Sequence, residues 1–406
     1  MTSAIEPAER TQWRRRVPSI FLVFNSFVWY ILTAAVFITV LDGLQLPGVE
    51  RLELYAIFFF SSGVAAVVGS KLFPLARTAF LNLWVFVGAI ATLLLLEMSR
   101  NSMLTNAFIV LFLGVSIGVG LPSCLAYFAD STVVENRGLT AGVIWSAVGF
   151  GVLMFALLIN MLRQADSVVA LTGWRLFGCG TFLALNRNHT DFPRRKSPSY
   201  LQLIRRREIL LYLFPWIMFS LINFAEAPIL ERVFGAEFFA FVQLIGWAFI
   251  GVFAIVGGFV ADVAGRKRVV ITGFIMLGIE YATMSLFSIS PLSWYFFLTL
   301  DGITWGLFAS IFWMALWGDL GGDDEKEKYY ALGGLPYLLA GFLPILLRPY
   351  VGLMGTVESF SLASFFLFLA VLPLMYAPET LPEKKIKERE LRDYVEKARK
   401  TKEKYT

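Results

Sequence analysis

The sequence predicts an all-α integral membrane protein with twelve transmembrane helices in two six-helix bundles. Three observations carry this. Hydrophobic residues make up 57% of the chain and charged residues only 16%, with a mean hydropathy of +0.68, where an ordinary soluble domain has about 25% charged residues. The apolar residues fall in long runs separated by short polar connectors, a pattern that sends them into lipid. One long basic connector divides the runs into two equal sets.

The amino end carries Glu6, Glu9, Arg10, Arg14, Arg15 and Arg16 with no short apolar run leading to a small-residue cleavage site. No removed signal peptide is expected, and the first hydrophobic run stays as a span. A helix needs about 20 apolar residues to cross the hydrocarbon. The candidate runs are 19–41, 54–73, 79–96, 104–128, 140–162, 168–185, 209–230, 238–260, 269–288, 292–317, 331–351 and 360–375. Gly173, Arg175 and Gly178 interrupt the sixth, which is the weakest. The tenth is long and is expected to be tilted or kinked. Barrel strands would be shorter and alternate in polarity.

Lysine and arginine set the orientation. One set of connectors holds most of them, among them Arg77, Arg137, Arg205, Arg206, Arg207, Arg266, Lys267 and Lys326. The other holds only Arg51, Arg100, Arg163, Arg175, Arg232 and Arg348. Both termini are therefore expected in the cytoplasm. The organisation reads as a bundle over 1–185, a cytoplasmic linker over 186–208, a second bundle over 209–381 and a charged cytoplasmic tail over 382–406. The linker contains Pro193 and Pro198, and a sequon at Asn188 is set aside because that loop is placed in the cytoplasm. Cys124 and Cys179 lie in apolar runs and read as small buried hydrophobes. With His189 the only histidine, no metal site, cofactor or nucleic-acid partner is expected.

The halves look related. Phe73, Ala76 and Arg77 follow the second span as Asp262, Gly265 and Arg266 follow the eighth, at an offset of 189. At the same offset Asp130 meets Asp319 and Arg137 meets Lys326. Parallel six-helix repeats about an axis along the membrane normal are a known transporter architecture.

The stretch Gly258-Phe259-Val260-Ala261-Asp262-Val263-Ala264-Gly265-Arg266-Lys267-Arg268 resembles the loop signature of the major facilitator superfamily, Gly-x-x-x-Asp-x-x-Gly-Arg-Lys/Arg. Glu135-Asn136-Arg137-Gly138, Gly173-Trp174-Arg175 and Pro378-Glu379-Thr380 are similar to further fragments of that family. The first-half copy departs from the signature, with Phe73 for the aspartate and Ala76 for the second glycine. The resemblance implies the major facilitator fold and a conformational latch on the cytoplasmic side. Gly258, Asp262, Gly265, Arg266, Lys267, Arg77, Asp130 and Arg137 are its expected members.

The resemblance also implies that spans one, four, seven and ten line a central cavity. Ionisable residues inside a membrane are costly and mark functional sites. Asp301 in span ten and Glu226 in span seven are the candidate proton or substrate groups, against a packing or capping role near the outer surface. Glu280 in span nine has a second reading as a residue satisfied by Tyr281 and interior polar groups. Asn25, Trp29 and Tyr30 of span one, Tyr127 of span four, Asn223 of span seven and Trp305 of span ten complete the expected substrate site, with helix packing as the plain alternative. The central part of those four spans has no lysine or arginine, which makes organic anions less favoured. Arg175 and Arg348, placed near the outer face, leave room for them.

The resemblance therefore implies a secondary transporter of a small organic solute working by alternating access. Proton-coupled symport is the first expectation, supported by the absence of a Gly-Pro pair in span five. Proton antiport of amphipathic compounds and a non-transporting sensor are the alternatives. An enzyme is not expected. The expected partners are a small-molecule substrate, protons and the lipid bilayer, for a monomer in the cell membrane.

Overall fold

Twelve apolar helices cross the molecule. They are α1 (Arg16–Gly43), α2 (Gly48–Gly69), α3 (Arg77–Glu97), α4 (Met103–Ser131), α5 (Val134–Met161), α6 (Gln164–Asn186), α7 (Arg207–Phe234), α8 (Ala236–Ala264), α9 (Arg266–Phe287), α10 (Pro291–Gly321), α11 (Glu327–Leu353) and α12 (Thr356–Tyr376). The computed structural model describes residues 7–72, 77–186, 195–381 and 391, with side chains from residue 16 onward. Phe73, Ala76, the linker positions 187–194 with His189, and the charged tail apart from Leu391 lie outside the described residues.

All twelve expected runs are helices, and the sixth is continuous from Gln164 to Asn186 despite its glycines. The first helix begins earlier than its apolar run, at Pro7. Length explains the agreement: each helix satisfies its own backbone polar groups in lipid, so a long apolar run has no other stable form. Large apolar side chains such as Phe60, Leu104, Phe259 and Phe365 project outward from the surface. Several helices depart from regular geometry or carry an internal proline: α3 ends and α5 begins in a 3-10 turn, and α12 is interrupted at Ala370. α7 contains Pro215 and Pro228. α10 widens into a π-helical segment, Ala309–Ala315, all of it buried; such segments occur often at functional sites. α11 breaks after Ala340 and continues through short turns to Leu353.

Each half packs in the same way. In the first, α2 lies on α4, and α3 and α1 on α6; in the second, α8 lies on α10, and α9 on α12. The halves meet along α5 against α8 and α2 against α11, helices that correspond under the sequence repeat. The α5–α8 seam has no room for side chains. A Cβ on Gly142 would strike the backbone of Ala254, and one on Gly258 would strike the carbonyl of Gly138. Small residues let helix backbones approach closely in lipid.

Gly142→Ala should destabilise the protein by about 1–3 kcal/mol, because the obstacle is rigid backbone. Gly173→Ala, whose added Cβ meets nothing within 4 Å, should not. Thermal unfolding midpoints of the purified variants check this.

Candidate functional site

Four layers follow one another from the face carrying the basic connectors to the opposite face: a charge lattice and an aromatic plug between the bundles, a cavity walled by the second bundle, and a vestibule lined by both.

The lattice is built at helix ends. At the end of α8, the Asp262 carboxylate accepts hydrogen bonds from the backbone N–H groups of Gly138 (3.0 Å) and Leu139 (2.7 Å). These belong to the first turn of α5, where free amides and the helix dipole favour an anion. The same carboxylate pairs with Arg266 at 2.5 Å. Arg266 is fully buried and reaches Asp319 at 3.1 Å, while a second nitrogen donates to the Val134 carbonyl at 2.7 Å. Asp319 also pairs with Arg137.

The corresponding cluster centres on Asp130, which meets Arg77 (2.7 Å), Lys326 (2.7 Å) and Arg195 (2.9 Å). Burial pulls the Lys326 amine below its ordinary range, and the Asp130 carboxylate opposes that pull. The two acids and two cations related by the repeat have therefore exchanged partners across the interface. Asp130 of the first half holds Lys326 of the second, and Arg137 of the first holds Asp319 of the second.

Arg77 also pairs with Glu327 at the start of α11. This explains how the first half works without an aspartate at position 73. Arg266 has two carboxylates, Asp262 and Asp319; Arg77 likewise has two, Asp130 and Glu327, the second lent by the other bundle. Gly265 makes the turn between α8 and α9 with φ +101°, and a side chain there would run into Glu379. Glu379 itself accepts from the N–H groups of Arg266 (2.8 Å) and Lys267 (3.2 Å). The Lys267 amine bonds the Met375 carbonyl at the surface, outside the lattice.

The plug is centred on Trp313, in the π segment. Its ring lies 5.5 Å from Phe27, 6.2 Å from Trp145, 6.2 Å from Trp216 and 4.6 Å from Tyr337, measured between centroids. Rings from α1, α5, α7 and α11 thus converge on one residue of α10.

Beyond the plug lies a cavity of 170 Å³, walled by α7, α8, α10 and α11. Asn223, Gln243, Trp247, Asp301, Trp305 and Tyr337 supply its polar and aromatic groups. The Asp301 carboxyl and the Trp305 ring stand one helical turn apart on the same wall. Tyr30 of α1 approaches Tyr337 from the first half. The cavity shares Ala227 and Phe239 with a vestibule of 450 Å³. There Asp42 meets Arg51 at 3.4 Å and accepts from the Tyr55 hydroxyl at 2.9 Å, and Glu231 meets Arg348 at 2.7 Å. Both ion pairs stay within one half.

Of the residues expected at a substrate site, Asp301, Trp305 and Asn223 stand on the cavity wall and Tyr30 stands beside it. Glu226 is buried within α7, well before its end, and one of its carboxyl oxygens has no partner among the described residues. Glu280 is fully buried with both oxygens unpartnered among them, so Tyr281 does not satisfy it.

Asn25, Trp29 and Tyr127 point into the first bundle. Asn25 donates to the Trp174 carbonyl at 2.7 Å and accepts from Arg175 at 3.1 Å. The Trp29 indole donates to Thr92 at 2.8 Å, and the Tyr127 hydroxyl to Asn186 at 3.2 Å. Arg175 is not near a membrane face. It is fully buried in mid-bundle between the rings of Trp29 (4.1 Å) and Trp84 (4.4 Å). Glu327, Gln243 and Trp313 were not singled out from sequence. Glu327 had one signal, a carboxylate directly after a repeat-related lysine; Trp313 had none.

The chain has the major facilitator fold. The human organic anion transporter MFSD10 superposes with a TM-score of 0.67 at 15% identity, over 89% of this chain and 99% of that one. The E. coli fucose:proton symporter FucP gives 0.68 at 11% identity, over 90% and 99%. The proton:xylose symporter XylE, bound to 6-bromo-6-deoxy-D-glucose, gives 0.63 at 13% identity, over 92% and 97%. No known family pattern matches the sequence, and no curated protein matches it.

Removing one partner of a buried ion pair costs about 3–5 kcal/mol. Asp319→Asn should therefore loosen the basic face by about that amount, read as faster amide hydrogen exchange across residues 316–330 while α5 and α8 stay protected.

Proposed function

We propose that this chain, folded as a major facilitator, is a secondary transporter that moves a small organic solute by alternating access, coupled to protons at Asp301. One observation carries the reading. The basic face is closed by ion pairs that cross between the halves, while at the opposite face the ion pairs among the described residues, Asp42–Arg51 and Glu231–Arg348, each lie within one half, and that face leads through a vestibule to a cavity with a carboxyl group on its wall. This is the arrangement of one end state of a two-bundle exchange. In the other, the lattice opens and the vestibule closes.

The rocking units are the bundles 1–185 and 209–381, joined by the linker 186–208. The lattice residues Asp262, Arg266, Arg77, Asp130 and Arg137 form the latch, with Gly258 and Gly265 allowing the close approach and the turn. The positive-inside distribution supports a cytoplasmic basic face and cytoplasmic termini, and the reading takes the protein as a monomer of the cell membrane. The vestibule then faces outward.

Symport is the direction that two of the similar folds carry in their names. Exchange is a second reading, favoured by the cavity's single carboxyl group, which can hold a proton or a positively charged solute but not both.

Sealed proteoliposomes containing a trapped pH dye test the proposal. Sugars, amino acids, carboxylates, nucleosides and organic cations are first screened for thermal stabilisation, since ligands of the folded state raise its apparent stability. Adding a stabilising solute outside should acidify the lumen in symport and alkalinise an acid-loaded lumen in exchange. Asp301→Asn should abolish either pH change; solute-for-solute exchange should persist in the symport reading and weaken in the exchange reading, where the same carboxyl group holds the solute. Solute flux with no pH change in the wild type would sink proton coupling, and the absence of any solute flux would sink the transporter reading.

A further inference from the structure

The cavity wall has a consistent chemical sign. Asp301 brings a carboxyl group to it, and no lysine or arginine stands there. The basic residues of the adjoining vestibule, Arg51 and Arg348, already have carboxylate partners in Asp42 and Glu231. Behind the wall Glu280 interacts electrostatically with Asp301, and Tyr281 lies within electrostatic reach of Glu280, Glu226 and Asp301. None of the three acids forms an ion pair among the described residues. The remaining lining is rich in rings, with Trp247, Trp305 and Tyr337 among them. Aromatic faces attract cations through the ring quadrupole, most strongly where water is excluded. The side-chain carbonyls of Asn223 and Gln243 add neutral acceptors. An anion would find no positive group here.

We infer that the cavity takes the positively charged head of a small organic cation, an alkylammonium held by Asp301 and boxed by the rings of Trp247, Trp305 and Tyr337. This rests on the proposal that the cavity is the transport site, and it selects exchange, because cation and proton then compete for one carboxyl group. Size sets the head group. An apolar cavity of about 150 Å³ accommodates benzene, so the 170 Å³ found here suits a head of about six to eight non-hydrogen atoms. A longer tail would extend past Ala227 and Phe239 into the vestibule, whose lining is mostly apolar away from its ion pairs.

The test compares choline and tetramethylammonium chlorides with 3,3-dimethylbutan-1-ol, the neutral isostere of choline, on the full chain in lipid nanodiscs. Sodium chloride at matched ionic strength is the control. Both cations should raise the unfolding midpoint and change the tryptophan fluorescence. The alcohol should bind choline's site more weakly by about tenfold or more, equivalent to about 1.4 kcal/mol. Asp301→Asn should lower the cation affinity by a similar factor. If the alcohol acts as strongly as choline, or neither cation has any effect, the inference fails. Should Asp301→Asn not fold, the isosteric pair on the wild type decides alone. Cation binding without flux in sealed vesicles would uphold the ligand class and overturn the transport reading. Flux of neutral solutes without cation binding would do the reverse.

Discussion

The closed basic face depends on burying charges that neither half can satisfy by itself. Asp319 and Arg266 have fully buried side chains, and Arg137, Asp130 and Lys326 nearly so. A charge removed from water without a partner costs several kcal/mol. Each half alone would present such charges at the ends of α4, α5, α10 and α11. Docking the halves resolves this for Arg137 and Lys326, whose carboxylate partners Asp319 and Asp130 come from the other side, while those carboxylates also hold Arg266 and Arg77 within their own halves. The gain requires exclusion of water. Two charges 4 Å apart attract by about 4 kcal/mol at an effective dielectric of 20, and by about 1 kcal/mol in water. The lattice therefore attracts strongly while water is excluded and loses most of its attraction once water enters.

The repeat makes this possible. Asp130 and Asp319 occupy equivalent places, as do Arg137 and Lys326, so an interface that brings one pair together brings the other together as well. The exception is instructive. The first half has no aspartate matching Asp262, and Glu327 from the second half takes up the second valence of Arg77. The carboxylates of Arg266 thus come from its own half, with the Val134 carbonyl added across the interface, whereas one of the two carboxylates of Arg77 itself comes from across the interface.

The helices and the second-half charge cluster were legible in the sequence because each rests on a strong constraint. Lipid admits only long apolar helices at these lengths, and Gly258, Asp262, Gly265 and Arg266 sit at fixed spacing at a turn. Asp301, Asn223 and Trp305 were legible as polar or aromatic residues on an expected cavity helix. Asn25, Trp29 and Tyr127 meet the same criterion and yet point inward, because residue type does not say which face of a helix meets the partner bundle. Arg175 misled for a different reason. A glycine-flanked arginine in a short apolar run looks like a connector residue, and only the packing shows α6 continuing through it. Trp313 gave no signal, since a π segment differs from an α-helix in hydrogen bonding and not in composition.

Arg175 also explains why the halves differ in their chemistry. Its guanidinium lies between two indoles and bonds Asn25 and Ser26, so the strongest charge in the first bundle is locked to α1 and α3 from within. Cation–π contacts of this kind contribute about 2 kcal/mol or more when desolvated, and moving α1 relative to α6 would forfeit them. Asn25, Ser26 and Trp29 of α1 are thereby committed to contacts within the first bundle. In the second bundle the acids Asp301, Glu226 and Glu280 have no ion-pair partner among the described residues, and Asp301 stands on the cavity wall. The first half accordingly commits its intramembrane arginine to internal packing, while the cavity and its carboxyl group lie in the second half, on the same helix as the π segment.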